Sequence, residues 1–125
     1  MLPLSVLLVE DDEGIRTPLA QFLEGEGYRV ALAENGREAL DWLKEHDAPG
    51  LILLDLMMPV MSGGEFLNAR RSSVAFREIP VVLLTAWLHR WPESAYTTDG
   101  TLPKPIDTDK LLAIVSRYCD RSLIS

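Results

Sequence analysis

The sequence predicts an α/β fold, a parallel sheet with helices on both faces. Two observations predict it. Short apolar runs at residues 4–9, 51–54 and 80–85 have the length and continuity of strands buried on both sides. Between them, apolar residues recur at helical spacing behind helix-start signals. Strands alternating with helices at this interval imply right-handed crossovers, and in such sheets ligands bind beyond the carboxyl ends of the strands.

Each element has its own warrant. The first run, 4–9, ends on Glu10-Asp11-Asp12. A helix follows with Ile15, Leu19, Phe22 and Leu23 on one face; Pro18 inside it predicts a kinked first turn or a late start, and Gly25-Glu26-Gly27 stops it. Residues 28–33 alternate weakly and read as a short second strand. Asn35-Gly36-Arg37-Glu38 carries a capping residue with Glu three places on, opening a second helix with Leu40 and Leu43 inward. The run 51–54 ends at Asp55. Ser62-Gly63-Gly64-Glu65 repeats the capping pattern and opens a third helix to about Arg71. Pro80 suits the first position of a fourth strand, where no ladder donor is lost. Residues 86–100 hold Trp87, Trp91 and Pro92 with few aliphatics, and read as one short or distorted helix. Residues 101–103 form the weakest strand. Asp107-Thr108-Asp109 starts a closing helix, its acids favoured by the helix dipole, with Leu111, Leu112, Val115 and Tyr118 toward the core.

Composition bounds the function. The 125 residues make one domain, 1–125, with one core. The net charge of −7 argues against a nucleic-acid face or an anionic membrane surface. No apolar stretch approaches the roughly 20 residues needed to span a bilayer, and the N-terminus lacks a basic leader region, so a cytoplasmic location is expected. Cys119 is the only cysteine, which fits a reducing compartment and a packing role. His46 and His89 have no metal-ligand spacing.

The polar residues at the strand ends carry the chemistry. Glu10, Asp11, Asp55, Thr85 and Lys104, the last between Pro103 and Pro105, all fall at or just past a strand end. Three carboxylates at one edge repel by about 3 kcal/mol per pair at ~5 Å in an effective dielectric of ~20. Such a cluster calls for a cation, and hard oxygen donors in an open pocket suit Mg²⁺. Lys104 adds a second positive charge. A carboxylate beside both is poised to attack phosphorus, and aspartate is an established nucleophile for acyl phosphates. The Thr85 hydroxyl can then donate to a phosphoryl oxygen.

These residues resemble the receiver domain of two-component response regulators, the chemotaxis-Y-like family. The resemblance spans nearly the whole chain. It rests on Val9-Glu10-Asp11-Asp12 with Ile15-Arg16, on Asp55-Leu56-Met57-Met58-Pro59 with Met61 and Gly63, on Thr85-Ala86, and on Lys104-Pro105. It implies a flavodoxin-like, doubly wound, five-stranded parallel sheet in the order 2-1-3-4-5. It implies Asp55 as phosphoacceptor, Asp11 as direct Mg²⁺ ligand, Glu10 holding the ion through water, and the Met57 backbone carbonyl completing the metal shell. Thr85 becomes the switch hydroxyl, Lys104 the phosphate-binding lysine, and Lys104–Pro105 a cis bond. Asp12 is left to cap the first helix. The implied partner is a histidine kinase or a histidine phosphotransfer protein, with a downstream partner or output domain outside this chain. The protein is then a signalling switch and not an enzyme.

Two departures from the family pattern stand out. Thr101 occupies the position of the usual switch aromatic, and the segment before it is shorter than usual and rich in Trp. They motivate an alternative, an interaction module that works without phosphorylation; a passive phosphorelay intermediate is a third possibility. Trp87 and Met57 flank the expected site and would screen attacking water. Asp99-Gly100-Thr101-Leu102 resembles part of the haloacid dehalogenase motif, but Thr97 stands where its nucleophile would be and no apolar strand precedes it.

Overall fold

The computed structural model describes residues 4–55, 63–85 and 99–120. In chain order these form β1 (Val6–Val9), α1 (Glu13–Gly25), β2 (Val30–Ala33), α2 (Gly36–Glu45), β3 (Leu51–Asp55), α3 (Gly63–Arg71), β4 (Val81–Thr85), β5 (Gly100–Pro103) and α4 (Thr108–Cys119). The strands make one parallel sheet in the order β2-β1-β3-β4-β5. All five strands and these four helices match the sequence expectation. Met57 with the rest of 56–62, and the expected distorted helix with Trp87 and Trp91, lie outside the described residues.

The core follows from the strand period of two. Val6, Leu8, Leu51, Leu53, Val82 and Leu84 face one layer, with Leu19 and Leu23 of α1 and Leu111, Val115 and Cys119 of α4. Leu7, Val9, Ile52, Leu54, Val81 and Leu83 face the other, with Ala39 and Leu43 of α2 and Phe66 and Leu67 of α3. β1, β3 and β4 are buried along their full length, which explains their unbroken apolar runs. Burying each such side chain contributes roughly 2 kcal/mol.

Helix ends are set locally. Asp12 caps α1, its Oδ1 accepting from Gly14 N at 2.8 Å. Asn35 caps α2 through Glu38 N at 2.9 Å, while the Glu38 carboxylate accepts from Glu34 N at 3.1 Å, so the reciprocal bond lands one residue before the cap. Asp107 caps α4 through Asp109 N and Lys110 N. Gly27, at φ +96°, adopts the left-handed conformation that ends α1. The expected late start at Pro18 does not occur: α1 runs as one helix from Glu13 to Gly25 with Pro18 inside it. The donor that Pro18 lacks would have faced the Gly14 carbonyl. Both residues are exposed, so water can satisfy that carbonyl.

The amino-terminal rim of the sheet is closed by tight packing. Leu4 N donates to Cys119 O at 2.9 Å and Gly50 N to Ser5 O at 2.8 Å. A Cβ on Gly50 would lie 2.7 Å from Leu4 Cβ and 3.0 Å from Tyr118 O, so only glycine fits. The buried Arg70 donates to the Ile79 carbonyl, 3.1 Å from Nε, and Asp99 Oδ2 accepts from Val81 N at 2.9 Å. Burial draws the Arg70 guanidinium below its ordinary pKa, opposed by the charges of Asp99 and Glu78. Cys119 is fully buried, and desolvation pushes its thiol up to about 12. Tyr28 OH donates to Asp120 Oδ1 at 2.6 Å and Ser116 Oγ to Asp120 Oδ2 at 2.7 Å, pinning the end of α4 to the start of β2.

Candidate functional site

Strand register assembles the opposite, carboxyl-terminal rim. Val9 pairs with Leu54, which sets Glu10 level with Asp55. Asp55 pairs with Leu84, so Thr85 lies one step beyond it. Thr85 pairs with Pro103, which brings Lys104 to the same edge, and Lys104 N donates to Thr85 O at 3.1 Å. The Lys104–Pro105 peptide is cis, as expected. Glu10, Asp11, Asp55, Thr85 and Lys104 therefore meet at one rim; Met57 lies outside the described residues.

The rim is charged and largely dry. Glu10 is 0% exposed, Asp55 4% and Thr85 2%, whereas Asp11 faces solvent. Each carboxylate of Glu10, Asp11 and Asp55 offers an oxygen within 4.8 Å of the others. Lys104 Nζ is the counter-charge, 2.8 Å from Glu10 Oε2 and 3.6 Å from Asp55 Oδ1. Burial disfavours the charged amine, but the Glu10 contact and the Asp55 charge outweigh it and hold the lysine above its ordinary pKa. Lys104 thus stays protonated.

Glu10 is held at both oxygens. Oε1 accepts from Asp12 N at 3.3 Å. Oε2 lies 2.8 Å from Lys104 Nζ as its ion-pair partner. Among the described residues, one lysine against three carboxylates leaves the cluster net negative. Two buried acids and one open acid, with oxygens within 4.8 Å of one another, form a donor set that fits a hard divalent cation.

One residue of the site, Arg16, has a role that its place in the Ile15-Arg16 motif does not reveal. In the structure its Nη1 donates to the carbonyls of Glu10 at 2.8 Å and Asp11 at 3.2 Å, and Nη2 lies 3.6 Å from Glu34 Oε1. The signal was its position: a cation in the first turn of α1 opposes the helix dipole and needs another reason to be there.

Comparison with known proteins agrees with this geometry. Residues 6–116 match the family model of the response regulator receiver domain. Response regulator Rre1 of Synechocystis is 41% identical over 127 residues, spanning 98% of this chain; the chain covers only about half, 54%, of that relative. The chemotaxis response regulator CheY4 of Vibrio cholerae superposes with a TM-score of 0.83 at 32% identity, covering 94% of this chain and 99% of that one. The receiver domain of sensor histidine kinase PA1611 from Pseudomonas aeruginosa, solved with a magnesium ion in its active-site cleft, superposes with a TM-score of 0.82 at 29% identity over 92% of this chain and 96% of that one. In fold, in the acids and lysine gathered at one sheet edge, and in sequence along nearly its whole length, the chain belongs to the response regulator receiver domains of two-component signalling.

Proposed function

We propose that the chain is a single receiver domain in which Asp55 accepts a phosphoryl group with the help of Mg²⁺. The observation that carries this reading is the convergence of three carboxylates within 4.8 Å of one another, two of them buried, beside a lysine 3.6 Å from Asp55. Asp11 is open to solvent and Asp55 shares its rim, so both suit direct ligation. Glu10, held by Asp12 N and facing Lys104, suits holding the ion through water. The Met57 carbonyl is the proposed further ligand. When bound, Mg²⁺ neutralises the acids and polarises the phosphoryl oxygens.

The residues of the chain do the rest. An Asp55 carboxylate oxygen attacks phosphorus; the new O–P bond forms as the bond from phosphorus to the donor's histidine nitrogen breaks, and the electron pair leaves with that nitrogen. The Lys104 ammonium offsets charge on the transferring group. The Thr85 hydroxyl donates to a phosphoryl oxygen afterwards, and this reorientation shifts the domain between two surface states. The donor is a histidine kinase or a histidine phosphotransfer protein, and the recipient is a protein partner or an output domain. The role is signalling in the cytoplasm, not turnover of a substrate.

A second reading has its own observation. Thr101 is half-buried on β5, paired with Leu83, and supplies no ring to follow the Thr85 hydroxyl. Partner binding unchanged in Asp55→Ala and in excess chelator would favour an interaction module that needs no phosphorylation. The direct test of the leading reading is labelling with acetyl phosphate and Mg²⁺, read by intact mass. The wild type gains one phosphoryl group and Asp55→Ala gains none; stoichiometric labelling of that variant removes Asp55 from the role.

A further inference from the structure

Arg16, half-buried beside the acids, bears on the metal site. Arg16 is a guanidinium whose side chain is only 11% exposed, yet its ionic partner Glu34 is 61% exposed and 3.6 Å away. A pair of that kind contributes little. The stronger contacts are the two bonds from Nη1 to the carbonyls of Glu10 and Asp11. The guanidinium carries several N–H donors in a fixed fork, which lets one nitrogen serve both carbonyls.

Those carbonyls belong to the two residues whose carboxylates sit in the cluster. The same segment is held from three other sides: Glu10 N donates to Ala33 O at 3.0 Å, Asp12 caps α1, and Arg16 N donates to Asp12 O at 2.8 Å. Arg16 therefore closes a loop in which helix α1 grips, through its own side chain, the turn that precedes it. The grip fixes the direction of the Glu10–Asp11 backbone against the repulsion of its acids. It does so through neutral carbonyls and not through the carboxylate oxygens.

We propose that Arg16 is a positioning residue for the metal site, holding Glu10 and Asp11 in the arrangement that takes a divalent cation. The inference rests on the reading of Glu10, Asp11 and Asp55 as metal ligands. It makes a counter-intuitive statement, that removing a positive charge near the site weakens binding of a cation. A purely electrostatic role gives the opposite sign, and a purely structural role moves stability alone.

The experiment is calorimetric titration of the full chain with Mg²⁺, for wild type, Arg16→Met, Arg16→Lys and Glu34→Gln, with thermal unfolding of each metal-free protein alongside. Arg16→Met keeps the length and apolar stem but has neither donor nor charge. Its Mg²⁺ dissociation constant is expected to rise about tenfold, the lower end for loss of a group that orients a ligand. Arg16→Lys, which retains a donor, falls between Met and wild type, and Glu34→Gln stays within about twofold, as an exposed pair allows. Tighter or unchanged Mg²⁺ binding in folded Arg16→Met overturns the inference. Should that variant not fold, wild-type affinity in both Arg16→Lys and Arg16→Gln overturns it, and graded weakening supports it. A wild type that takes up no Mg²⁺ at millimolar concentration overturns the metal-site reading itself, and this inference with it.

Discussion

The two rims of the sheet each set an arginine against backbone carbonyls, to different ends. At the amino-terminal rim Arg70 bonds the Ile79 carbonyl among close-packed neighbours, and a glycine is required because Leu4 and Tyr118 leave no room for a Cβ. At the carboxyl-terminal rim Arg16 bonds the carbonyls of Glu10 and Asp11 beneath carboxylates crowded within 4.8 Å. One rim is satisfied internally; the other is left electrically incomplete. The difference teaches where this fold keeps its stability and where it keeps unspent charge. Parallel strands end together at both rims, so the sheet allows that division without disturbing the core.

The sharpest way to break the comparison is to remove the lysine. Lys104→Met leaves the buried Glu10 carboxylate without its counter-charge. We expect a loss of about 3 kcal/mol in metal-free stability, the lower end for breaking a buried ion pair, with part of it regained in Mg²⁺. Denaturant unfolding with and without the ion measures both. Next in size is the packed rim. Gly50→Ala should cost about 2 kcal/mol through overpacking, and Mg²⁺ should raise its unfolding midpoint by the same increment as in wild type, since the change lies at the far end of the sheet. A loss of Mg²⁺ response in that variant would mean the rims are coupled. Smaller, and of opposite sign, is Asp55→Asn. Relief of carboxylate repulsion should stabilise the metal-free protein by about 1 kcal/mol while abolishing phosphoryl labelling.

Near neutral pH the remaining effect is silent, and it emerges only in alkali: a pH dependence at the packed rim. The folded-state pKa of Cys119 lies near 12, against an ordinary value of 9.0. A thiol held neutral by burial contributes stability that is complete below pH 9 and is lost as pH rises from 9 toward 12, where the unfolded chain gains a thiolate that the folded chain does not. The unfolding free energy of Cys119→Ala should therefore fall less steeply over that interval than that of wild type. At pH 8 the folded thiol should resist labelling that the denatured chain accepts at once. Equal slopes in the two proteins would place Cys119 in a wetter setting than the structure gives it.

How far the sequence could be read differs between the rims. Apolar runs of strand length, ended by Glu10, Asp55, Thr85 and the Lys104-Pro105 pair, made the charged rim legible, because a strand end is a local feature and the strands end in register. The caps at Asp12, Asn35 and Asp107 were legible for the same reason. The packed rim depends on contacts between residues far apart in the chain. Tyr28 meets Asp120 across 92 positions, and Gly50 is constrained by Leu4 and by the far end of α4. No local pattern encodes such pairs. Arg16 fell between these cases: its place in the first helical turn was readable, but its grip on two carbonyls depends on how β1 turns into α1. Pro18 did not delay the helix, because a missing donor on an exposed helix face costs less than the rule for helix interiors implies.

The most direct test of an electrically incomplete rim is the thermal unfolding midpoint of the wild-type chain with and without millimolar Mg²⁺ at constant ionic strength. A cation that binds the folded acids and not the unfolded chain should raise the midpoint, and Asp11→Asn should remove most of that rise. Identical midpoints with and without the ion would contradict it.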